Sequence, residues 1–234
     1  MPSMVNLKKF SKKQLLQGMN LALKNARLLL KEAKLLAKNK AYSRAFALGV
    51  LSLEEAGKVV FLTLCYHEDR FTLSEKGAKK FWKLFSSHPA KISFFEDFYA
   101  GKWKSFLFVR KRKHQKETYK FRKKVIEPLY KAYTDIYTYL RSLKLSSVSE
   151  LKLRCFYVDS SNKKLNFHMP YSPPPRVIKG LLLLVKCHIE DAAKLRDTFR
   201  RARTAEISEQ VYMTMFKHYD LRATLHELEK MDNA

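Results

Sequence analysis

Residues 15–38 read LLQGMNLALKNARLLLKEAKLLAK, and this stretch decides the fold. An apolar or small side chain returns at Leu15, Met19, Ala22, Ala26, Leu29, Ala33 and Leu36, in steps of four and three. A helix turns once in about 3.6 residues, so these positions share one face and the spacing predicts a long amphipathic helix. Lys24, Arg27, Lys31, Lys34 and Lys38 fall on its other faces, and Glu32 is the only acid before Glu54. This helix therefore presents almost pure positive charge, either as a solvated surface or as a docking surface.

The short Asn39-Lys40 joint leads into a second helix whose stripe is Ala45, Leu48, Ser52, Ala56 and Val59. So short a connection makes the two helices an antiparallel hairpin. Glu54 and Lys58, four apart, are placed to pair on the outer side. Glu55 falls beside the apolar stripe, where an unpaired carboxylate is expensive. It is expected to pair with a basic residue of the first helix, as structural support, with an active-site role as the alternative.

Further along, Thr72-Leu-Ser-Glu75 has the form of a capping box and starts a third helix through Phe81 and Trp82. That helix ends near Ser86-Ser-His88-Pro89, because the residue before a proline is pushed out of the helical region. Pro89 suits the first position of the next helix, which leaves His88 at a helix–helix corner. Residues 102–131 read as a long polar helix or helix pair, dense in cations: Lys111, Arg112, Lys113, Lys116, Lys120, Arg122, Lys123 and Lys124 stand against few acids. Tyr119, Phe121, Tyr130, Tyr133, Tyr137 and Tyr139 are interleaved or follow. Cations that neutralise phosphates beside aromatics that stack on bases suit single-stranded nucleic acid, though tyrosines at helical spacing also serve a core. Pro128 is expected to kink or break this helix.

Ser147-Val-Ser-Glu150 is a second capping box, opening a short helix that runs out at Arg154. Cys155–Asp159 and Leu165–Met169 then read as two extended pieces around a turn, a minor β-hairpin. Tyr171-Ser-Pro-Pro-Pro175 is a stiff linker into a last long helix with Ile178, Leu182, Val185, Ile189, Ala192 and Phe199 on one face. From Ser208 one or two further short helices follow. No repeat and no clear boundary interrupts residues 1–234, so the expectation is one all-α domain with a C-terminal helical extension over 201–234.

Composition agrees. Six Gly and 7 Pro leave few breaks for a chain of 234 residues. Its 47 Lys+Arg against 22 Asp+Glu give a formal +25, far beyond the roughly 2–8 charges that solubility needs. A polyanionic partner is implied: nucleic acid first, then an anionic membrane or an acidic protein. Membrane attachment is the least supported, since the lysines of 102–131 do not lie opposite a clean bulky apolar face. Cys65, Cys155 and Cys187 have neither disulfide nor zinc-knuckle spacing. No signal-like run opens the chain and no apolar stretch reaches membrane-spanning length, so a cytoplasmic protein is expected. The 7 histidines are scattered, and no HExxH, GxGxxG, Walker loop or GxSxG is present. Neither a metal nor a nucleotide cofactor is expected.

Several stretches together carry a resemblance. Gly18-Met-Asn20 with Ala22 and Asn25-Ala26, then Ala47 and Ser52-Leu-Glu-Glu55-Ala-Gly-Lys58, then Phe85-Ser-Ser-His88 with Lys91, then Leu153-Arg-Cys-Phe-Tyr157-Val-Asp159, occur in that order. Over about residues 11 to 200 the chain resembles the AbiV family of abortive-infection proteins, within the HEPN superfamily of helical bundles. The resemblance implies a HEPN-like bundle, often dimeric, and for many members metal-independent endoribonuclease activity. The superfamily signature is an arginine, four to six residues, then a histidine. Here Lys83-Leu-Phe-Ser-Ser-His88 occupies that place, with lysine where arginine is expected; lysine is a point charge without arginine's bidentate fork. The implied catalytic set is His88, Lys83 and Lys91, with Glu55 and Lys58 as support. The implied partners are RNA or the ribosome, a phage-encoded activator and a second copy of the chain. A non-catalytic interaction protein is the alternative.

Overall fold

The computed structural model describes residues 11–67, 127–145, 147–156, 159–160, 167–168 and 170–201. These form an all-α fold: α1 (Lys12–Lys38), α2 (Tyr42–His67), α3 (Glu127–Ser142), α4 (Val148–Phe156) and α5 (Pro175–Arg201). Between α4 and α5 lies a minimal antiparallel pairing of β1 (Asp159–Ser160) with β2 (Phe167–His168), in the register Asp159 opposite His168.

Helix α1 starts at a capping box. The Gln14 N–H donates to Ser11 Oγ at 3.2 Å, and the Ser11 N–H donates to Gln14 Oε1 at 2.9 Å, so two donors at the helix start are satisfied. It ends where Lys40 takes a left-handed φ of 61° and Ala41 N–H reaches back to Leu36 O at 2.9 Å. Glycine usually fills this place; here a lysine does. Helix α3 closes the same way at Lys144, φ 54°, with Leu145 N–H on Leu140 O at 3.0 Å.

The α1–α2 pair is the antiparallel hairpin that its short joint requires. Ser52 Oγ donates to Ala26 O at 2.6 Å, and further from the joint Thr63 Oγ1 meets Met19 Sδ at 3.2 Å. Partners that separate in sequence away from the turn define antiparallel packing. Helix α2 is central: α1, α4 and α5 all pack against it, while α3 and α1 also pack on α5. Phe46, Leu53, Glu54, Ala56, Val59 and Phe61 are all buried although they point in different directions around its axis.

Helix α3 carries Pro128 in its first turn, where the missing N–H has no intrahelical partner to lose. Its Tyr133, Tyr137 and Tyr139 are partly buried and pack against the core, while Tyr130 is exposed. Helix α4 starts as its capping residue implies, the Glu150 N–H donating to Ser147 Oγ at 3.1 Å. The expectation that it stops at Arg154 needs correction. It continues through Cys155 and Phe156, because Cys155 lies one turn after Leu151 and both are buried. The extended chain therefore starts later than Cys155.

Helix α5 opens on Pro175 and buries Val177, Ile178, Leu181, Leu184, Val185 and Ile189, among others. It crosses α3 at Gly180, where an added Cβ would stand 3.2 Å from both Cα and Cβ of Ala132. The opposing atoms include backbone and cannot swing aside. Gly180→Leu should therefore lower stability by about 1–3 kcal/mol through overpacking, seen as a lower urea midpoint with an unchanged m-value. An unshifted midpoint would mean that α3 and α5 do not approach so closely. The expected capping box at Thr72, the helix through Phe81 and Trp82, the basic stretch before Glu127 and the helices after Ser208 lie outside the described residues.

Candidate functional site

Lys83, His88 and Lys91 lie outside the described residues, as do Lys111, Arg112, Lys113, Lys116, Lys120, Arg122, Lys123 and Lys124. Glu55 and Lys58 lie within them, on α2. Their helix places both on its one partly open side, and Lys58 Nζ donates to Glu55 Oε1 at 2.5 Å. This corrects two expectations. Glu55 pairs three residues along its own helix, not with α1, and Lys58 is paired with Glu55 instead of Glu54.

The buried carboxylate is Glu54. Only 2 % of it is exposed, and it accepts a 2.7 Å hydrogen bond from Lys152 Nζ of α4, itself 3 % exposed. The two residues are 98 apart in sequence. A charge taken out of water needs a close opposite charge, and here the pair ties α4 to the central helix. Periodicity missed it because α2 is apolar almost all round. A single stripe through Ala45, Ser52 and Ala56 marks the side facing α1, whereas Glu54 lies on a second packed side.

Beside this pair, α4 carries a polar arrangement toward the start of α5. Arg154 donates to Glu150 Oε1 at 3.1 Å, lies 5.6 Å from the centre of the Tyr171 ring, and accepts the Tyr171 N–H at its carbonyl, 2.9 Å away. Burial alone would lower the Arg154 guanidinium, but its hydrogen bonds with Tyr171 and Glu150 hold it above its ordinary value. Tyr139 of α3 is raised, first by burial and then by the nearby Cys155 and Tyr171. Burial pushes the Cys155 thiol up to about 12, so it stays protonated at neutral pH and is no nucleophile.

Helix α1 turns Lys24, Arg27, Lys31, Lys34 and Lys38 to solvent. With the half-buried Lys58 close to Glu55, these cations form the charged surface of the hairpin. On the α5 side, Arg196 Nη1 donates to Asn20 Oδ1 at 2.9 Å, linking the last turns of α5 to α1. Among the described residues no group of three or more His, Cys, Asp or Glu could hold a metal ion. Among them, too, no helix is long and apolar enough to cross a membrane.

Among the described residues, the Glu54–Lys152 pair and the Arg196–Asn20 hydrogen bond link helices, while the cations of α1 face solvent. Among curated proteins and among solved structures nothing matches. One family model does, described as AbiV and of the HEPN type, over residues 14–181.

Proposed function

The chain belongs to the AbiV family of HEPN-type abortive-infection proteins, and from that premise we propose that it is an antiphage effector that cleaves RNA without a metal ion. The observation that carries this reading is the family match across residues 14–181, which spans Lys83, His88 and Lys91. The formal +25 supports it by attracting a polyanion.

The chemistry needs little machinery. The 2′-oxygen of a ribose attacks the adjacent phosphorus as a base removes its proton. The 5′-oxygen leaves as an acid protonates it, giving a 2′,3′-cyclic phosphate and a 5′-hydroxyl. Histidine serves either role near neutral pH, and Lys83 or Lys91 supplies positive charge beside the crowded phosphoryl oxygens. One histidine performs one of the two proton transfers. A homodimer that brings two such corners together would perform both, and RNA or the ribosome is the partner this reading assigns. The test is incubation of purified protein with total cellular RNA in EDTA, alone and with lysate from phage-infected cells. Fragments ending in cyclic phosphate support the reading; intact RNA under both conditions overturns it.

A second reading rests on one specific observation, the lysine at position 83 where the family signature has arginine. On this reading the chain binds RNA, the translation machinery or a phage protein through its basic surface without catalysis. Both readings make RNA affinity salt-dependent, falling about 10³–10⁵-fold between 50 and 200 mM salt if six to ten phosphates are contacted. Replacing Lys111, Arg112, Lys113 and Lys116 by glutamine should flatten the slope of log affinity against log salt by about three. Fluorescence anisotropy with a labelled single strand measures this, and an unchanged slope would remove these four from the interface.

A further inference from the structure

Three leucines of α1 stand out of the bundle. Leu21, Leu28 and Leu35 are 60 %, 48 % and 60 % exposed. Spaced seven apart, they lie along one side of the helix as a ridge about 21 Å long. Lys24, Lys31 and Lys38, also exposed and also seven apart, run along one flank of it; Asn25 and Glu32 lie on the other. An apolar ridge with a row of cations suits an amphipathic helix that offers leucines and carboxylates.

The chain itself contains such a segment. From Thr204 to Ala234 it holds six acids against three bases, in a chain whose total is +25. Within it Leu221, Leu225, Leu228 and Met231 recur at helical spacing, and Asp220 and Glu227, seven apart, fall on one flank of that stripe. The tether is in the right place. Arg196 of α5 is hydrogen-bonded to Asn20, next to the first leucine of the ridge, and α5 ends at Arg201. The nineteen residues between Arg201 and Leu221 can reach any point of the ridge at about 3.3 Å each.

We propose that residues 220–232 dock as a helix on the ridge Leu21–Leu28–Leu35 of the same chain, with Asp220 and Glu227 facing the lysine row. The inference is independent of any reaction at His88. A second copy of α1 is a poorer occupant: antiparallel, it would bring one lysine row against another, and parallel, it offers that row a single carboxylate, Glu32. Docking covers the ridge and neutralises part of the α1 cation surface, so the tail competes with any polyanion for that surface.

Hydrogen exchange on the full chain tests it, with Leu28→Lys as the variant, since Leu28 is exposed and its replacement leaves the core intact. Amides of 220–232 should exchange at least about tenfold faster in the variant, with α2 and α5 unchanged. Equal rates in the two proteins would overturn the proposal, and with it any role for the tail on this ridge. Carbodiimide cross-linking of a mixture of unlabelled and ¹⁵N-labelled protein identifies the occupant. Links from Lys24 or Lys31 to Asp220 or Glu227 within one isotope label support docking on the same chain. Links only between labels would assign the ridge to a second copy, and no such links would leave it to an outside partner; either result overturns the proposal.

Discussion

Replacing His88 by alanine is expected to lower RNA cleavage in EDTA by about 10²–10⁴-fold, the usual contribution of one positioned acid or base. RNA affinity should stay nearly unchanged, because binding is carried by lysines and arginines that the substitution does not touch. The pair of measurements separates the two readings of this family member. Loss of fragments with retained affinity places a proton-transfer group at His88. Fragments that persist in the variant at the wild-type rate would take His88 out of the chemistry and point to a contaminating nuclease or another residue. Lys83→Arg belongs in the same series. If Lys83 bears on the phosphoryl oxygens, the bidentate guanidinium should sustain cleavage or raise it, while Lys83→Gln should lower it.

The largest effect on stability is expected at Lys152. Lys152→Met removes the cation but leaves the Glu54 carboxylate in a site of which 2 % is exposed. Breaking a buried pair from one side costs about 3–5 kcal/mol. In a chain of this size that lowers Tm by roughly 10 °C, read by circular dichroism or calorimetry. The double variant Glu54→Leu, Lys152→Met should recover most of the loss, because both charges of the pair leave together and the volume is filled. Should the single variant melt within about 2 °C of wild type, the pair is not sealed from water and α4 is held on α2 by its apolar residues alone. Should the double variant melt as low as the single one, the pair contributes more than the removal of a charge explains.

Much of the fold was legible because helical periodicity and capping are local. The four-and-three recurrence from Leu15, the short joint at Asn39-Lys40, the Ser147 cap and the proline run before α5 each act within a few residues. The capping box at Ser11 is equally local, and Ser11-Lys-Lys-Gln14 spells it out. The turns at Lys40 and Lys144 carry no glycine, so nothing in the residue types marked their left-handed backbone.

The candidate site divides differently. Family membership and the stretch Lys83–His88 were read from residues in order along the chain, and the match over 14–181 agrees with the family. The identity of the buried glutamate was not readable that way. Two acids side by side differ by about 100° around the helix, and which of them is enclosed depends on how many neighbours the helix has. Among the described residues α2 packs against α1, α4 and α5, and its side toward α4 encloses Glu54.

The leucines of α1 show the same division. By itself the sequence determined that α1 is helical, that it has an apolar face, that it pairs back on α2, and that its remaining surface is cationic. It chose Leu29 and Leu36 for the core, whereas Leu23 and Leu30 are buried, Leu29 and Leu36 are only partly so, and Leu28 and Leu35 stand in solvent. Periodicity counts how often apolar side chains return to one side of an axis. The rotation of that axis against α2 and α5 is set by the packing of all three helices at once, and only the tertiary structure decided it.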